Sequence, residues 1–316
     1  MKIKGIHHVS ALTADAKKNY DFYTKVMGMR LVKKTVNQDD TSVYHLFYGD
    51  KNASPGSELT FFEIPRAART HKGARSISAV SLRVKSSKAL QFWQQRLKNH
   101  DIQTGDIHEL DGRQALFFSD PEGLDVLLLA DEASLNGMPW VTEEISEENG
   151  ILGLGPVQLT VNKTGPTFRV LEEVLGFRKK AEYKIDEQSS LSVFETGEGG
   201  AGSEIHVIQH ADLPAERIGR GGIHHVALRV GNRDELEQWN KKIESFGFAN
   251  SGIVNRFYFQ ALYFRDRNGI LFELSTDGPG FDVDEPADEL GKTLALPPFL
   301  EPQREQIEAK LKPLDF

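Results

Sequence analysis

The 316-residue sequence contains no cysteine. Disulfide bonds, thiolate zinc sites, iron–sulfur clusters and cysteine nucleophiles are therefore excluded together. Any metal ion that this chain holds must be bound by nitrogen and oxygen ligands.

An excess of positive charge and a long apolar run are also missing. The chain has 38 Lys and Arg against 46 Asp and Glu, so its formal charge is −8, whereas nucleic-acid-binding domains are typically basic. No run of about 18 apolar residues occurs, so the sequence predicts no membrane-spanning helix. The start, MKIKGIHHVS, turns polar at once. We therefore expect a cytoplasmic protein without a secretory signal that binds neither nucleic acid nor membrane.

A fourfold repeat organises the chain. Each unit opens with a short alternating apolar strand, continues with a helix and ends with three strand-like runs, the last of them after a glycine-rich turn. The four openings align on Val9, Val80, Val157 and Val226. This plan predicts an α+β fold built from four βαβββ modules.

The repeat also predicts the domain boundaries. We place the modules at about residues 1–66, 75–132, 150–210 and 221–276. The first two modules form a predicted domain of residues 1–145, the last two form one of residues 150–275, and residues 277–316 form a tail that packs on them.

Each module offers two equivalent positions, one on its first strand and one on its last strand. Strand alternation sends the side chains at these positions to one face of the sheet. The first-strand positions are His8, Ala79, Pro156 and His225, and the last-strand positions are Thr60, Leu127, His206 and Glu273.

In this pattern the chain resembles the vicinal-oxygen-chelate superfamily, which contains glyoxalase I, bleomycin-resistance proteins and extradiol dioxygenases. The resemblance rests on the His-His-Val openings at 7–9 and 224–226 and on the stretch YFRDRNGILFE at 263–273, and it covers nearly the whole chain. It implies that the modules pair into two half-open barrels with a metal ion inside.

The superfamily binds its metal at the equivalent positions just described. Modules 1 and 4 would together present His8, His225 and Glu273, whereas modules 3 and 4 would present His206 in place of His8. We favour His8 because the two His-His-Val openings are near copies, and equivalent strands of a twofold barrel should supply equivalent ligands. His206 remains the alternative third ligand.

Two histidines and one carboxylate with open positions suit non-haem Fe(II) and O₂, although Mn(II) or Zn(II) could occupy the same set. A glyoxalase-type enzyme would normally present a second glutamate. Thr60 stands at that position, and because threonine is a weak ligand, coordination positions stay free for substrate and O₂. This departure favours a dioxygenase.

The closer resemblance is to hydroquinone ring-cleaving dioxygenases. It rests on GIHHVS, on the run Tyr44-His45-Leu46, on Asn255-Arg256 and on the tail from Pro279. The resemblance implies catalytic roles for Tyr263, Arg256, His224 and His7, and substrate contacts from Asn255, Ser10 and His45. Strand alternation alone would point His7 and His224 away from the metal, but bulged first strands could bring one of them inward as an acid–base group.

The resemblance implies a non-haem Fe(II)-dependent, extradiol-type dioxygenase that cleaves a hydroquinone or related phenol with O₂, in aromatic degradation or quinone detoxification. Two alternatives stay open: a glyoxalase-type metal-dependent isomerase or lyase, and a non-catalytic drug- or metabolite-binding protein of the same fold. The expected partner is a small aromatic substrate, and an open barrel edge would permit a homodimer.

Overall fold

Each repeat opening forms a strand followed by a helix, and each module contributes four strands. We describe the fold from a computed structural model that covers residues 1–134 and 136–314. The strands of modules 1 and 2 are β1 Ile6–Thr13, β2 Arg30–Asn37, β3 Asp40–Gly49, β4 Glu58–Glu63, β5 Ser76–Val84, β6 His108–Leu110, β7 Arg113–Ser119 and β8 Asp125–Ala130. Those of modules 3 and 4 are β9 Ile151–Val161, β10 Arg178–Lys184, β11 Ser189–Glu195, β12 Glu204–His210, β13 Ile223–Val230, β14 Asn250–Asn255, β15 Phe259–Arg265 and β16 Leu271–Pro279.

Three of the five described helices begin at side-chain caps. The five are α1 Ala16–Asp21, α2 Ser87–Asn99, α3 Thr164–Arg169, α4 Arg233–Ser245 and the short α5 Arg304–Glu308. Asp15, Ser86 and Asn232 each accept a hydrogen bond from a backbone N–H at the start of α1, α2 and α4, which satisfies donors that the helix itself leaves unpaired. Among the described residues, no helix is long and apolar enough to cross a bilayer.

The helices of modules 1 and 3 differ from those of modules 2 and 4. Each continues as a π-helical turn, at Phe22–Val26 and at Val170–Val174, which the sequence pattern did not predict. Gly28 and Gly176 then follow with φ of 60° and 76°, a left-handed conformation that glycine adopts without steric cost.

Strand pairing decides which modules share a barrel. β1 pairs antiparallel with β13, and β5 pairs antiparallel with β9. Modules 1 and 4 therefore build one half of the 16-stranded sheet, and modules 2 and 3 build the other half. Both halves stay open, so the predicted fold of βαβββ modules in half-open barrels is confirmed. The domain boundary between residues 145 and 150 stays a prediction.

A buried lysine ties the C-terminal tail to the barrel of modules 1 and 4. The Lys33 side chain, on β2, is completely buried. Its Nζ donates hydrogen bonds to the Phe281 carbonyl at 2.9 Å, to the Asp284 carboxylate at 2.7 Å and to the Glu285 carboxylate. It also lies 4.7 Å from the ring centroid of Tyr258, a distance at which an aromatic face attracts a cation.

Candidate metal centre

Bulges on both first strands set the directions of four histidine side chains. The register between β1 and β13 shifts at His7 and again at His224, so each strand carries one extra residue there. As a result, His7 Nδ1 lies 2.9 Å from His8 Nδ1, and His224 Nδ1 lies 2.8 Å from His225 Nδ1. Simple strand alternation would turn the side chains of His7 and His224 outward, and the bulges change these directions.

Three donor atoms converge inside the barrel of modules 1 and 4. His8 Nε2 lies 3.2 Å from His225 Nε2 and 3.3 Å from Glu273 Oε2, and His225 Nε2 lies 2.8 Å from Glu273 Oε2. The strands β1, β13 and β16 that carry them are neighbours in the sheet. All three residues are at most 3% exposed.

The carboxylate of Glu273 points a free oxygen at this centre. Its Oε1 accepts a hydrogen bond from Ser275, whereas its buried Oε2 has no hydrogen-bond partner. Burial by itself would raise the pKa of this carboxyl, but the nearby His8 and His225 hold it well below its usual range. A buried carboxylate oxygen in this position needs positive charge beside it, from a protonated imidazole or from a bound cation.

A hydrogen-bonded chain fixes the tautomer of His8. The Thr276 carbonyl can only accept, so His7 must carry its proton on Nε2, which lies 3.2 Å away. Burial lowers the pKa of His7 to about 3, and in the neutral ring the bare Nδ1 accepts from His8 Nδ1–H. In its neutral form, His8 would then carry a lone pair on Nε2, the atom that faces the centre.

These observations fit a divalent metal ion. Two ligands that bind an octahedral cation at roughly 2.1 Å lie about 3.0 Å apart, and the three donor–donor distances bracket that value. Lone pairs on two imidazoles and one carboxylate would repel one another at such distances without a cation between them. His8, His225 and Glu273 are therefore the residues that could hold the ion.

A cavity of about 460 Å³ opens beside the three donors. Such a volume suits a small organic ligand. Its walls contain more apolar than polar surface and include the rings of Phe47, Phe62 and Phe259. Phe259 also contacts the centre itself, with its ring centroid 5.2 Å from that of His8.

Arg256 and Tyr263 form the polar wall of this cavity. Arg256 Nε donates to the Tyr263 hydroxyl at 3.3 Å, and its two terminal nitrogens bind the carboxylate of Asp39 at 3.2 and 3.0 Å. Gln38 Nε2 adds a bond to the Arg256 carbonyl at 2.8 Å. Burial and the charge of Glu273 raise the pKa of Tyr263 above its usual value, so the phenol keeps its proton.

A second polar group consists of Ser10, Thr60 and His45, of which Ser10 and His45 line the cavity. Thr60 Oγ1 lies 2.7 Å from Ser10 Oγ and 3.0 Å from His45 Nε2. The His45 ring stacks on Phe62 at a centroid distance of 3.9 Å, and burial lowers its pKa well below the usual value. The Thr60 hydroxyl therefore already has hydrogen-bond partners in Ser10 and His45, in line with its expected weakness as a metal ligand.

Most of the residues singled out from the sequence meet at this place. The cavity is lined by His8, His225, Ser10, His45, His224, Arg256 and Tyr263, with Glu273 beneath it and His7 behind His8. Asn255 is the exception, because it is exposed and its side chain accepts a hydrogen bond from the Phe257 backbone. The expected substrate contact from Asn255 is not supported by this position.

His206 lies in the other half of the sheet, on β12, where its Nε2 contacts Glu204 at 3.2 Å. Asp111 and Glu204 complete a second group of three metal-type side chains. Arg113, however, binds both oxygens of Glu204 at 2.8 Å, and Lys180 bridges Glu204 and Asp111. Two side-chain cations already neutralise these carboxylates, so no bare anion remains there to require a metal.

Asp39 and Thr276 were missed by the reading of the sequence. Asp39 lies at the tip of the β2–β3 hairpin and contacts Arg256 only because modules 1 and 4 face each other. Thr276 acts through its backbone carbonyl, which any residue would provide. Neither role leaves a local signal in the sequence.

The model of the Glyoxalase/Bleomycin resistance protein/Dioxygenase superfamily matches residues 5–128 and 153–274. These two ranges contain all three donors of the centre.

Relatives match the chain over almost its full length. The Bacillus subtilis (strain 168) protein named "Putative ring-cleaving dioxygenase MhqA" is 55% identical, with 99% of this chain and 100% of that protein covered. The chlorohydroquinone/hydroquinone 1,2-dioxygenase of Sphingobium indicum is 29% identical, with 97% and 95% covered. A crystal structure described as a "putative dioxygenase" from Bacillus subtilis shares 32% identity at a TM-score of 0.91, with 99% and 98% covered.

Proposed function

Since the chain belongs to the glyoxalase/bleomycin resistance protein/dioxygenase superfamily, we propose that it is a ring-cleaving dioxygenase that opens a hydroquinone or related phenol with O₂. The observation that carries the proposal is the set of three converging donors beside a largely apolar cavity. The names of the full-length relatives support the same reaction class.

The family and the donor set imply a divalent metal ion, and we propose that the ion is Fe(II), held by His8, His225 and Glu273. Two histidines and one carboxylate leave coordination positions open, which is typical of non-haem iron oxygenases. When bound, the ion would supply the Lewis-acid and redox chemistry that lets O₂ react with a phenolate. Mn(II) and Zn(II) are the alternatives for the same ligands.

The chain itself orients the substrate and manages protons. Tyr263 keeps its proton, so its hydroxyl can donate to a substrate oxygen near Glu273. The Arg256 guanidinium lies against this hydroxyl and offers further donors to a phenolate. Neutral His224 accepts from His225 through Nδ1, which leaves its Nε2–H to donate on the cavity side. The apolar rings around the cavity limit access of water.

Oxygen uptake by metal-loaded protein tests the proposed reaction. We expect anaerobically purified protein to bind about one Fe(II) per chain and then to consume one O₂ for each methylhydroquinone converted. Turnover without oxygen would instead indicate an isomerase or lyase. A protein that binds the phenol unchanged, with or without metal, would contradict the proposal. Parallel loading with Mn(II) and Zn(II) distinguishes the metals.

His7→Phe should weaken metal binding without changing the three donors. Loss of the acceptor for His8 Nδ1–H frees the tautomer and orientation of His8, and such outer partners typically contribute 10–100-fold in metal affinity. Titration of metal-free protein with Fe(II) or Zn(II) measures the change. His7→Asn offers an amide oxygen as acceptor and should restore part of the affinity. Equal affinities for wild type and His7→Phe would show that His7 does not position His8.

A further inference from the structure

One end of the cavity beside the metal centre is apolar and open. Four side chains, which we call the apolar vestibule, line this end: Leu12, Phe62, Ile64 and Leu271. They lie at or next to neighbouring ends of β1, β4 and β16, and Leu12 is paired with Phe62 across the sheet. The same cavity lining also contains the polar side chains of Arg256, Gln38 and Asp39.

The cavity is larger than a single substituted ring requires. A cavity of roughly 150 Å³ suffices to hold a benzene molecule, whereas this one measures about 460 Å³. Leu12 follows His8 by four positions on β1, and at roughly 3.3 Å per residue this places the vestibule about 13 Å along the strand from the ligand. A ring bound through one oxygen at the centre would leave the vestibule unfilled.

The chemistry of the vestibule favours an uncharged, flexible apolar group. Ile64 is 45% exposed, so a large apolar side chain stands at the open end of a ligand cavity. Arg265, a charged residue in the lining, donates a hydrogen bond from one guanidinium nitrogen to the Gly269 carbonyl at 2.7 Å. An alkyl chain would cover Ile64 and Leu271, whereas a carboxylate or sulfonate would find no free donor among the four vestibule side chains.

We propose that the vestibule binds an unbranched alkyl substituent of the aromatic substrate, so that hydroquinones with chains of roughly four to six carbons, a length set by the strand spacing, are preferred over methylhydroquinone. This inference rests on the proposed function for the ring and its oxygen atoms. The alkyl chain adds the contacts that distinguish one hydroquinone from another.

A chain-length series tests the preference. The probes are hydroquinone and its 2-methyl, 2-propyl, 2-butyl and 2-hexyl derivatives, with kcat/KM measured by oxygen uptake of the Fe(II)-loaded protein. We expect kcat/KM to rise about fourfold for each methylene up to butyl, which corresponds to about 0.8 kcal/mol per buried methylene. Between butyl and hexyl the end of the chain reaches solvent, and the increase should stop.

Two matched variants locate the effect. Ile64→Asp places a charge at the open end of the vestibule, and we expect the ratio of kcat/KM for butyl over methyl to fall at least tenfold. Ile185→Asp makes the same change at a residue that is 53% exposed in the β10–β11 turn of the other half-sheet. It should keep the wild-type ratio. Both side chains are exposed, so neither change threatens folding.

Binding of the same compounds without oxygen separates this inference from the proposed reaction. Calorimetric titration of metal-loaded protein under anaerobic conditions should show affinity rising with chain length in wild type and not in Ile64→Asp. Turnover of hydroquinone with no chain-length dependence overturns the vestibule proposal and leaves the reaction intact. Chain-length-dependent binding without turnover in air overturns the reaction and leaves the vestibule intact.

Discussion

Glu273→Gln is expected to abolish stoichiometric metal binding and, with it, oxygen-dependent turnover. The substitution preserves the volume of the side chain and an oxygen that can accept the hydrogen bond from Ser275. It removes the negative charge that faces His8 and His225. Outer partners of a metal site already contribute 10–100-fold in affinity, so the loss of a charged ligand should exceed about 100-fold. Metal content after dialysis and the dissociation constant for Fe(II) or Zn(II) measure it.

His206→Gln is the matched control for this prediction. His206 occupies in module 3 the position that Glu273 occupies in module 4, and it is equally buried, but it lies among cations that already neutralise the acids around it. We expect this variant to bind metal as wild type does. If His206→Gln lost the metal while Glu273→Gln retained it, the centre would lie in the other half of the sheet.

Lys33→Met is expected to cause the largest loss of stability among single substitutions outside the metal centre. The change leaves the carboxylates of Asp284 and Glu285 without their buried ammonium partner, and removing one partner of a buried ion pair typically costs about 3–5 kcal/mol. The free energy of unfolding in urea measures the loss. Faster proteolysis within residues 280–314 should accompany it, because Lys33 joins this tail to β2.

Lys292→Met provides the reference for Lys33. Lys292 pairs with Glu289 in the same tail, but its side chain is 60% exposed, and exposed pairs contribute roughly 0–1 kcal/mol. The unfolding free energy of this variant should stay within about 0.5 kcal/mol of wild type. Similar losses for the two variants would mean that burial of the Lys33 ammonium does not decide the stability of the tail.

The repeat was sufficient to predict the fold, because each module carries its own local signals. Apolar alternation predicted the first strands, Asp15 caps the first helix, and Gly28 follows its π-helical turn in the left-handed conformation. These features depend on residues within a few positions of one another, so a single sequence contains them. The alignment of the four repeats also placed His225 at the first-strand position and Glu273 at the last-strand position of module 4.

The choice between His8 and His206 depended on which modules pair, and local sequence does not encode that. Either pairing yields two histidines and one glutamate, and only the β1–β13 contact brings His8 to the centre. The similarity of the two His-His-Val openings favoured His8, yet that argument used symmetry and not any interaction. Long-range strand pairing has no periodicity that a sequence pattern could reveal.

The positions of the bulges and the π-helical turns lay beyond prediction for a related reason. Strand alternation has a period of two and places His7 and His224 on the outer face. Bulges were a stated possibility, but no local pattern locates the one extra residue in each strand that changes these directions. The contact between Arg256 and Asp39 likewise joins two hairpins that are remote in sequence. Each of these features appears only once the sheet is assembled, and together they shape the surroundings of the three donors.

The pairing of β1 with β13 sets the order of events when the chain is made. His8 and His225 are separated by 217 positions, so at 5–20 residues per second a ribosome exposes the first ligand roughly 10–40 s before the second. Throughout that interval β1 presents one unpaired edge, a hazard for association with other chains. The three donors come together only after the fourth module emerges, so a protein truncated before β13 would lack both His225 and Glu273.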